Sequence, residues 1–147
     1  MRVLLGSKSP RRKELLSMLS IKFDMVSIDC VESYQKSMLS INIAQYLSEK
    51  KSLAYKSLCD SELLITADTI VLVEDIVLNK PTNRDEALDM INLISGKTHQ
   101  VITGVTIRTK EKITSFSTFT DVSMNQIDNY NQNFYEDHYA ILDKAGG

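Results

Sequence analysis

Five charged side chains stand where their surroundings in the sequence disfavour charge, and together they have the makings of a phosphate site. Arg11 and Arg12 open a predicted helix, Lys51 falls on the apolar stripe of a second, Asp68 interrupts an apolar strand, and Lys80 ends a strand ahead of a third helix. Four cations and one carboxylate suit phosphoryl chemistry, in which positioning and charge stabilisation do most of the catalysis. The stretch Ser7-Lys8-Ser9-Pro10-Arg11-Arg12-Lys13 carries the clearest signal. Ser9 reads as an N-cap and Pro10 as the first helical residue. Lys8, Arg11, Arg12 and Lys13 then crowd the positive end of the helix dipole, where an exposed cation costs about 0.3–1 kcal/mol. An anion held by free backbone N–H groups, serine hydroxyls and arginine forks would reverse that penalty. A solvated basic turn is the other reading of the charges alone. The chain has no GxxxxGK[ST] segment, which excludes a P-loop enzyme.

The elements that must position these groups follow from periodicity and caps. Arg2 to Gly6 reads as a strand, with Glu14 to Leu19 as the amphipathic body of the helix begun at Pro10 and Ile21 to Val26 as a second strand. Ser40 caps a helix from about Ile41 to Leu58 whose stripe is Ile43, Leu47, Ala54 and Leu58. Lys51 lies on that stripe, so its ammonium either snorkels to the edge or reaches an anion in a cleft; Lys50 and Lys56 read as solvated. Leu63 to Val73 has the continuous apolar, β-branched character of a strand buried on both faces. Asp68 in its middle needs a cation, a metal or several donors, which a site would supply, as would a neighbouring loop. Glu74-Asp75 makes a turn into a return strand, Ile76 to Leu78, which Pro81 closes; Thr82 caps a helix from Asn83 to about Ile94, stopped by Gly96. His99 to Thr109 and Ile113 to Met124 read as strands joined at Lys110-Glu111-Lys112, and Asp128 caps a short helix toward Tyr139.

The whole chain bounds what such a site can serve. Its 147 residues are one domain's worth, and 43% hydrophobic with 24% charged residues is ordinary for a globular protein. A net charge of −2 makes the basic cluster a local feature and argues against a nucleic-acid partner. Cys30 and Cys59 have neither CxxC spacing nor a nearby histidine pair, so neither zinc nor a disulfide framework is indicated. His99 and His138 are isolated and read as surface or core residues. No apolar run has the length of a signal or membrane segment, so no membrane partner and a cytoplasmic location are expected.

The motifs Ser7-x-Ser9-Pro10-Arg11-Arg12, Glu32, Lys51, Ala67-Asp68-Thr69, Lys80-Pro81, Ser95-Gly96-Lys97-Thr98-His99, Thr103-Gly104-Val105 and Asp143-Lys144-Ala145-Gly146 run in the order and spacing of the Maf family, which the chain resembles over essentially its whole length. The resemblance implies a nucleoside triphosphate pyrophosphatase with a house-cleaning role. The implied fold is an α+β, ITPase-like domain, a mixed twisted sheet flanked by helices, spanning 1–147. The reaction is hydrolysis between the α and β phosphates with a divalent metal, Mg²⁺ or Mn²⁺. By resemblance Asp68 is the proton acceptor, Glu32 and Asp68 hold the metal, and Ser7, Arg12, Lys51 and Lys80 bind the triphosphate. Arg11 and Thr69 match the dTTP/UTP group of the family, and a homodimer is in keeping with it. Two departures stand out. Val31 replaces an aspartate frequent in relatives, and the chain stops before a Tyr-Gly-Ile-Gln motif, so the C-terminal portion of the domain is expected to be absent. On that expectation, the alternatives to an active enzyme are an impaired nucleotide-binding remnant and a cell-division regulatory protein.

Overall fold

The computed structural model describes residues 1–128, 142, 145 and 146. In chain order the elements are β1 (Arg2–Leu5), α1 (Pro10–Met18), β2 (Phe23–Met25), α2 (Ser40–Ala54), β3 (Glu62–Val73), β4 (Ile76–Leu78), α3 (Arg84–Ile94), β5 (Thr98–Arg108) and β6 (Ile113–Ser123). The sheet is six-stranded and mixed, in the order β2-β1-β3-β5-β6, with β4 hydrogen-bonded to β3. β1 runs parallel to both neighbours, Leu5 opposite Met25 and Ile65, and β3 antiparallel to β4, Val71 opposite Leu78. This is the α+β architecture expected. Among the described residues no helix is long and apolar enough to cross a membrane. The helix expected beyond Asp128, His138 and the Asp143-Lys144 pair lie outside the described residues.

The chain divides into two compact units. The first comprises Met1–Asp68 and Thr103–Thr118. Leu4, Leu58 and Leu64 form its buried apolar cluster, with Val26, Ile28 and Tyr55 packed around them. α2 lies against β5 so closely that a Cβ on Gly104 would overlap the backbone of Ala44 and Gln45. Hydroxyls complete that contact. Ser48 Oγ donates to the Gln45 carbonyl and meets Thr106 Oγ1 at 2.7 Å, Thr106 Oγ1 meets Ser115 Oγ at 3.0 Å, and Thr66 Oγ1 donates to the Ser48 carbonyl at 2.8 Å. Arg108 caps the end of α2, with Nη2 donating to the carbonyls of Ser52 at 2.7 Å and Tyr55 at 2.6 Å, and Nε to Ser52 Oγ at 3.1 Å.

α2 differs from its expected form. It begins at Ser40 with Leu39 at the cap position and ends at Ala54, so Leu58 is buried from the following loop. Its inner face is Ile43, Ala44, Leu47, Ser48 and Ser52. Two serines sit there at no desolvation penalty because their hydroxyls are hydrogen-bonded, a pattern that an apolar count overlooks. α1 departs further, since it buries no side chain: Leu15, Met18 and Leu19 are 63%, 73% and 65% exposed. Its apolar spacing does not make a core-facing stripe. The Ser9 hydroxyl does not cap it either. Instead the Ser9 N–H donates to Ser7 Oγ at 3.1 Å.

The second unit comprises Thr69–Ile102 and Phe119–Gly147. Val71, Val73, Leu78, Met90 and Ile94 form its core, with Leu93, Val101, Met124 and Ala145 against it. Glu74 and Asp75 turn the chain with φ of 48° and 66°, the doubly left-handed turn whose twist suits a two-residue hairpin. The cap of α3 is Asn83 rather than Thr82. Asn83 Oδ1 accepts from the Glu86 N–H at 2.8 Å, while the Thr82 N–H and hydroxyl both donate to Glu86 Oε2. Gly96, at φ 69°, ends that helix as expected.

Candidate active site

The first unit gathers four of the expected residues just past the end of the parallel β1–β3 pairing. β1 and β3 pair through Leu5 and Ile65, and the Gly6 N–H extends the pairing to the Ile65 carbonyl at 2.8 Å. Past that point β1 gives way to the turn leading into α1, while β3 continues through Asp68 to Val73. Parallel sheets open ligand sites at this end of their strands. A Cβ at Gly6 would meet the side chains of Ile28 and Thr66, which would have to shift.

Asp68 is buried, its side chain 10% exposed, and Lys51 Nζ stands 3.3 Å from its Oδ2. The same ammonium is 2.8 Å from Glu32 Oε1. Lys51 therefore neither snorkels nor is solvated, and its cation bridges two carboxylates at the edge of the apolar layer. The helix fixes it there, because the flanking Ser48 and Ser52 are both buried and hydrogen-bonded. Arg12 reaches over from α1, its Nη1 donating to the Ala67 carbonyl at 2.7 Å. Burial pushes the Arg12 guanidinium below its ordinary pKa, Asp68 and Glu32 pull it back up, and Arg11 lowers it again. An arginine stays charged through such changes. The result is a carboxylate pair held among cations, with Arg11 within electrostatic reach.

The remaining expected residues have separate places. Ser7 is half-buried in the β1–α1 turn, its Oγ accepting from Ser9. Arg11 is exposed in the first turn of α1. Thr69 and Lys80 belong to the second unit, Thr69 next along β3 and Lys80 exposed beyond the end of β4. Sequence reasoning missed Lys50. Partly exposed, it is nonetheless tied down, for its Nζ donates to the Ser33 carbonyl at 2.8 Å and to Ser33 Oγ at 2.9 Å. No spacing rule links a helix lysine to a loop serine so far upstream. Arg108 was missed for the same reason, since its partners lie at the other end of a long connection.

Among the described residues no three His, Cys, Asp or Glu side chains converge as a ready metal cage. Glu32 and Asp68 nevertheless fit a divalent ion of the Mg²⁺ type, which binds through one or two carboxylates and completes its shell with water and phosphate oxygens. That a single ammonium already bridges the two shows that both face one cation position.

The fold resembles that of two solved proteins at very low sequence identity. The Staphylococcus aureus Ham1 protein superposes with a TM-score of 0.58 at 10% identity, over 84% of this chain and 71% of that one. A HAM1 protein from Coxiella burnetii gives 0.51 at 8% identity, over 84% and 72%. In sequence the chain is 47% identical over 148 residues to a dTTP/UTP pyrophosphatase of Parabacteroides distasonis, covering 99% of this chain and 77% of that protein. A dTTP/UTP pyrophosphatase of Bacillus cereus is 39% identical over 145 residues, covering 99% and 76%. The family described as Maf-like protein matches residues 2–147. The match reaches the last residue, and the chain spans about three quarters of the length of these two relatives. With its motifs, its sheet and its full-length match in agreement, the chain belongs to the Maf-like protein family.

Proposed function

We propose that this protein hydrolyses dTTP and UTP to the nucleoside monophosphate and pyrophosphate. The observation that carries this reading is the convergence of Asp68, Glu32, Lys51 and Arg12 just past the end of the parallel β1–β3 pairing, in a chain whose relatives bear the name dTTP/UTP pyrophosphatase. Asp68 accepts a proton from a water that attacks the α-phosphorus. As that bond forms, the bond from the α-phosphorus to the bridging oxygen breaks and pyrophosphate leaves with its electron pair. Asp68 is buried, and the Lys51 ammonium stands 3.3 Å from its Oδ2. Arg12 and Lys51 offset charge on the triphosphate, helped by Ser7 and Lys80, and an anion at the basic start of α1 is favoured by the helix dipole.

Glu32 and Asp68 would hold a Mg²⁺ or Mn²⁺ ion, which when bound neutralises phosphate charge and polarises the phosphoryl oxygens. With the carboxylates so engaged, Lys51 would be available to the phosphates. Arg11 and Thr69 are assigned to the pyrimidine preference that the relatives' names state. The site takes a nucleotide rather than a nucleic acid, and a cytoplasmic setting suits the free thiols Cys30 and Cys59. The relatives' names favour this reading over a binding remnant or a division regulator.

Pyrophosphate release from dTTP, UTP and 7-methyl-GTP with Mn²⁺ tests the proposal. Turnover of dTTP and UTP should exceed that of 7-methyl-GTP. Asp68→Asn should lower kcat by about 10²–10⁴, the usual contribution of a general base, while nucleotide binding persists. A fully active Asp68→Asn variant would remove Asp68 from this role.

A further inference from the structure

Glu32 is an unusual site residue in that burial does not hold it in place. Its side chain is 56% exposed, the preceding Val31 is 77% exposed, and the segment between β2 and α2 has no regular structure around it. Two consecutive lysines of α2 instead engage two consecutive residues of that segment. Lys51 takes Glu32, and Lys50 takes both the carbonyl and the hydroxyl of Ser33. Lys50 is itself restrained, with its ammonium 5.9 Å from the ring centroid of Tyr46, one turn earlier on the same helix. The Ser33 N–H donates back to the Val31 carbonyl at 2.9 Å, closing a tight turn that has Glu32 at its centre.

We infer that Lys50 is a positioning residue for Glu32: by clamping Ser33 it holds the turn that presents the Glu32 carboxylate beside Asp68. This rests on the proposed pyrophosphatase reading for its consequence, and on the hydrogen bonds alone for its geometry. Two charge-assisted bonds at a half-exposed site should matter most when Lys51 turns toward phosphate, because Glu32 then depends on Ser33 for its place. The effect belongs to assembly of the site and not to the chemical step.

Lys50→Ala, Lys50→Arg and the unaltered protein separate the possibilities. With dTTP as substrate, Lys50→Ala should raise the half-saturating Mn²⁺ concentration about fivefold, the effect expected for loss of a typical exposed hydrogen bond. At saturating Mn²⁺ its kcat should stay within about twofold of the parent, and Lys50→Arg should recover most of the Mn²⁺ dependence. Direct Mn²⁺ binding in the presence of dTTP, read from the electron paramagnetic resonance signal of the free ion, should weaken by a similar factor. Amide hydrogen exchange at residues 31–34 should quicken. Faster exchange with unchanged Mn²⁺ binding would reduce Lys50 to a structural tie and overturn the inference, as would no change in either. Failure of the unaltered protein to release pyrophosphate would defeat the proposed function alone, because the binding and exchange measurements still read the Lys50 clamp.

Discussion

Replacing Lys51 by Met tests whether one ammonium does hold the carboxylate pair. Met keeps the apolar stem and removes the charge. At 3.3 Å and an effective dielectric of about 20, the attraction between Lys51 and Asp68 is about 5 kcal/mol, most of which the desolvation of both groups offsets. Loss of one partner is a different matter, since a buried carboxylate that loses its cation typically costs about 3–5 kcal/mol. Arg12 remains close to Asp68, and Glu32 is half in water, so the low end applies. A loss of about 3 kcal/mol corresponds to a fall of roughly 6–12 °C in Tm for a chain of this size. Mn²⁺ should then act as a substitute. With Lys51 gone both carboxylates are available, and Mn²⁺ at about 100 times its Kd returns about 2.7 kcal/mol. Thermal melts of parent and variant with and without Mn²⁺ measure both effects without any substrate. A variant that melts with the parent, or a Mn²⁺ shift no larger in the variant, would refute the argument that Lys51 and the metal compete for one position.

Two further outcomes are expected. Gly104→Ala drives a methyl group into the backbone of α2 and should cost more than about 2 kcal/mol, with a loss of dTTP turnover that tracks displacement of Lys51; a urea midpoint equal to the parent's would show that α2 does not sit as described. His99 is buried with an Nδ1 that makes no hydrogen bond among the described residues, and burial lowers its pKa below 6.5. The unfolded chain therefore binds the proton more readily, so stability should fall as pH drops below that value, and His99→Gln should flatten this part of the Tm–pH profile.

How much of this could be read in advance depended on the kind of clue each residue left. Asp68 was conspicuous because a carboxylate within Leu63–Val73 violates the strand's composition, and Lys51 because it shares a helical face with Leu47. Those conflicts are local, so the sequence displays them. The partners of Lys50 and Arg108 are distant backbone carbonyls and serine hydroxyls, which no spacing rule selects. The buried face of α2 was misjudged at Ser48 and Ser52 for the same reason, because their burial depends on Thr106 and Arg108 across the fold. The cap of α3 slipped by one residue because Thr82 and Asn83 are both good caps, and only Glu86 distinguishes them. In α1 the apolar spacing was real, yet periodicity records which side chains share a face and not whether another surface covers it.

The bareness of α1 bears on how binding would register in solution. A nine-residue helix that buries no side chain is short for independent stability, and cations crowd its first turn. Any anion that settles that repulsion also stiffens the helix, so affinity and order become one measured quantity. Part of the intrinsic attraction for phosphate is absorbed in quieting the segment that supplies it. Calorimetry would then record more favourable heat and a larger entropic penalty than a rigid cradle gives, and discrimination among ligands would follow how completely each one steadies the helix.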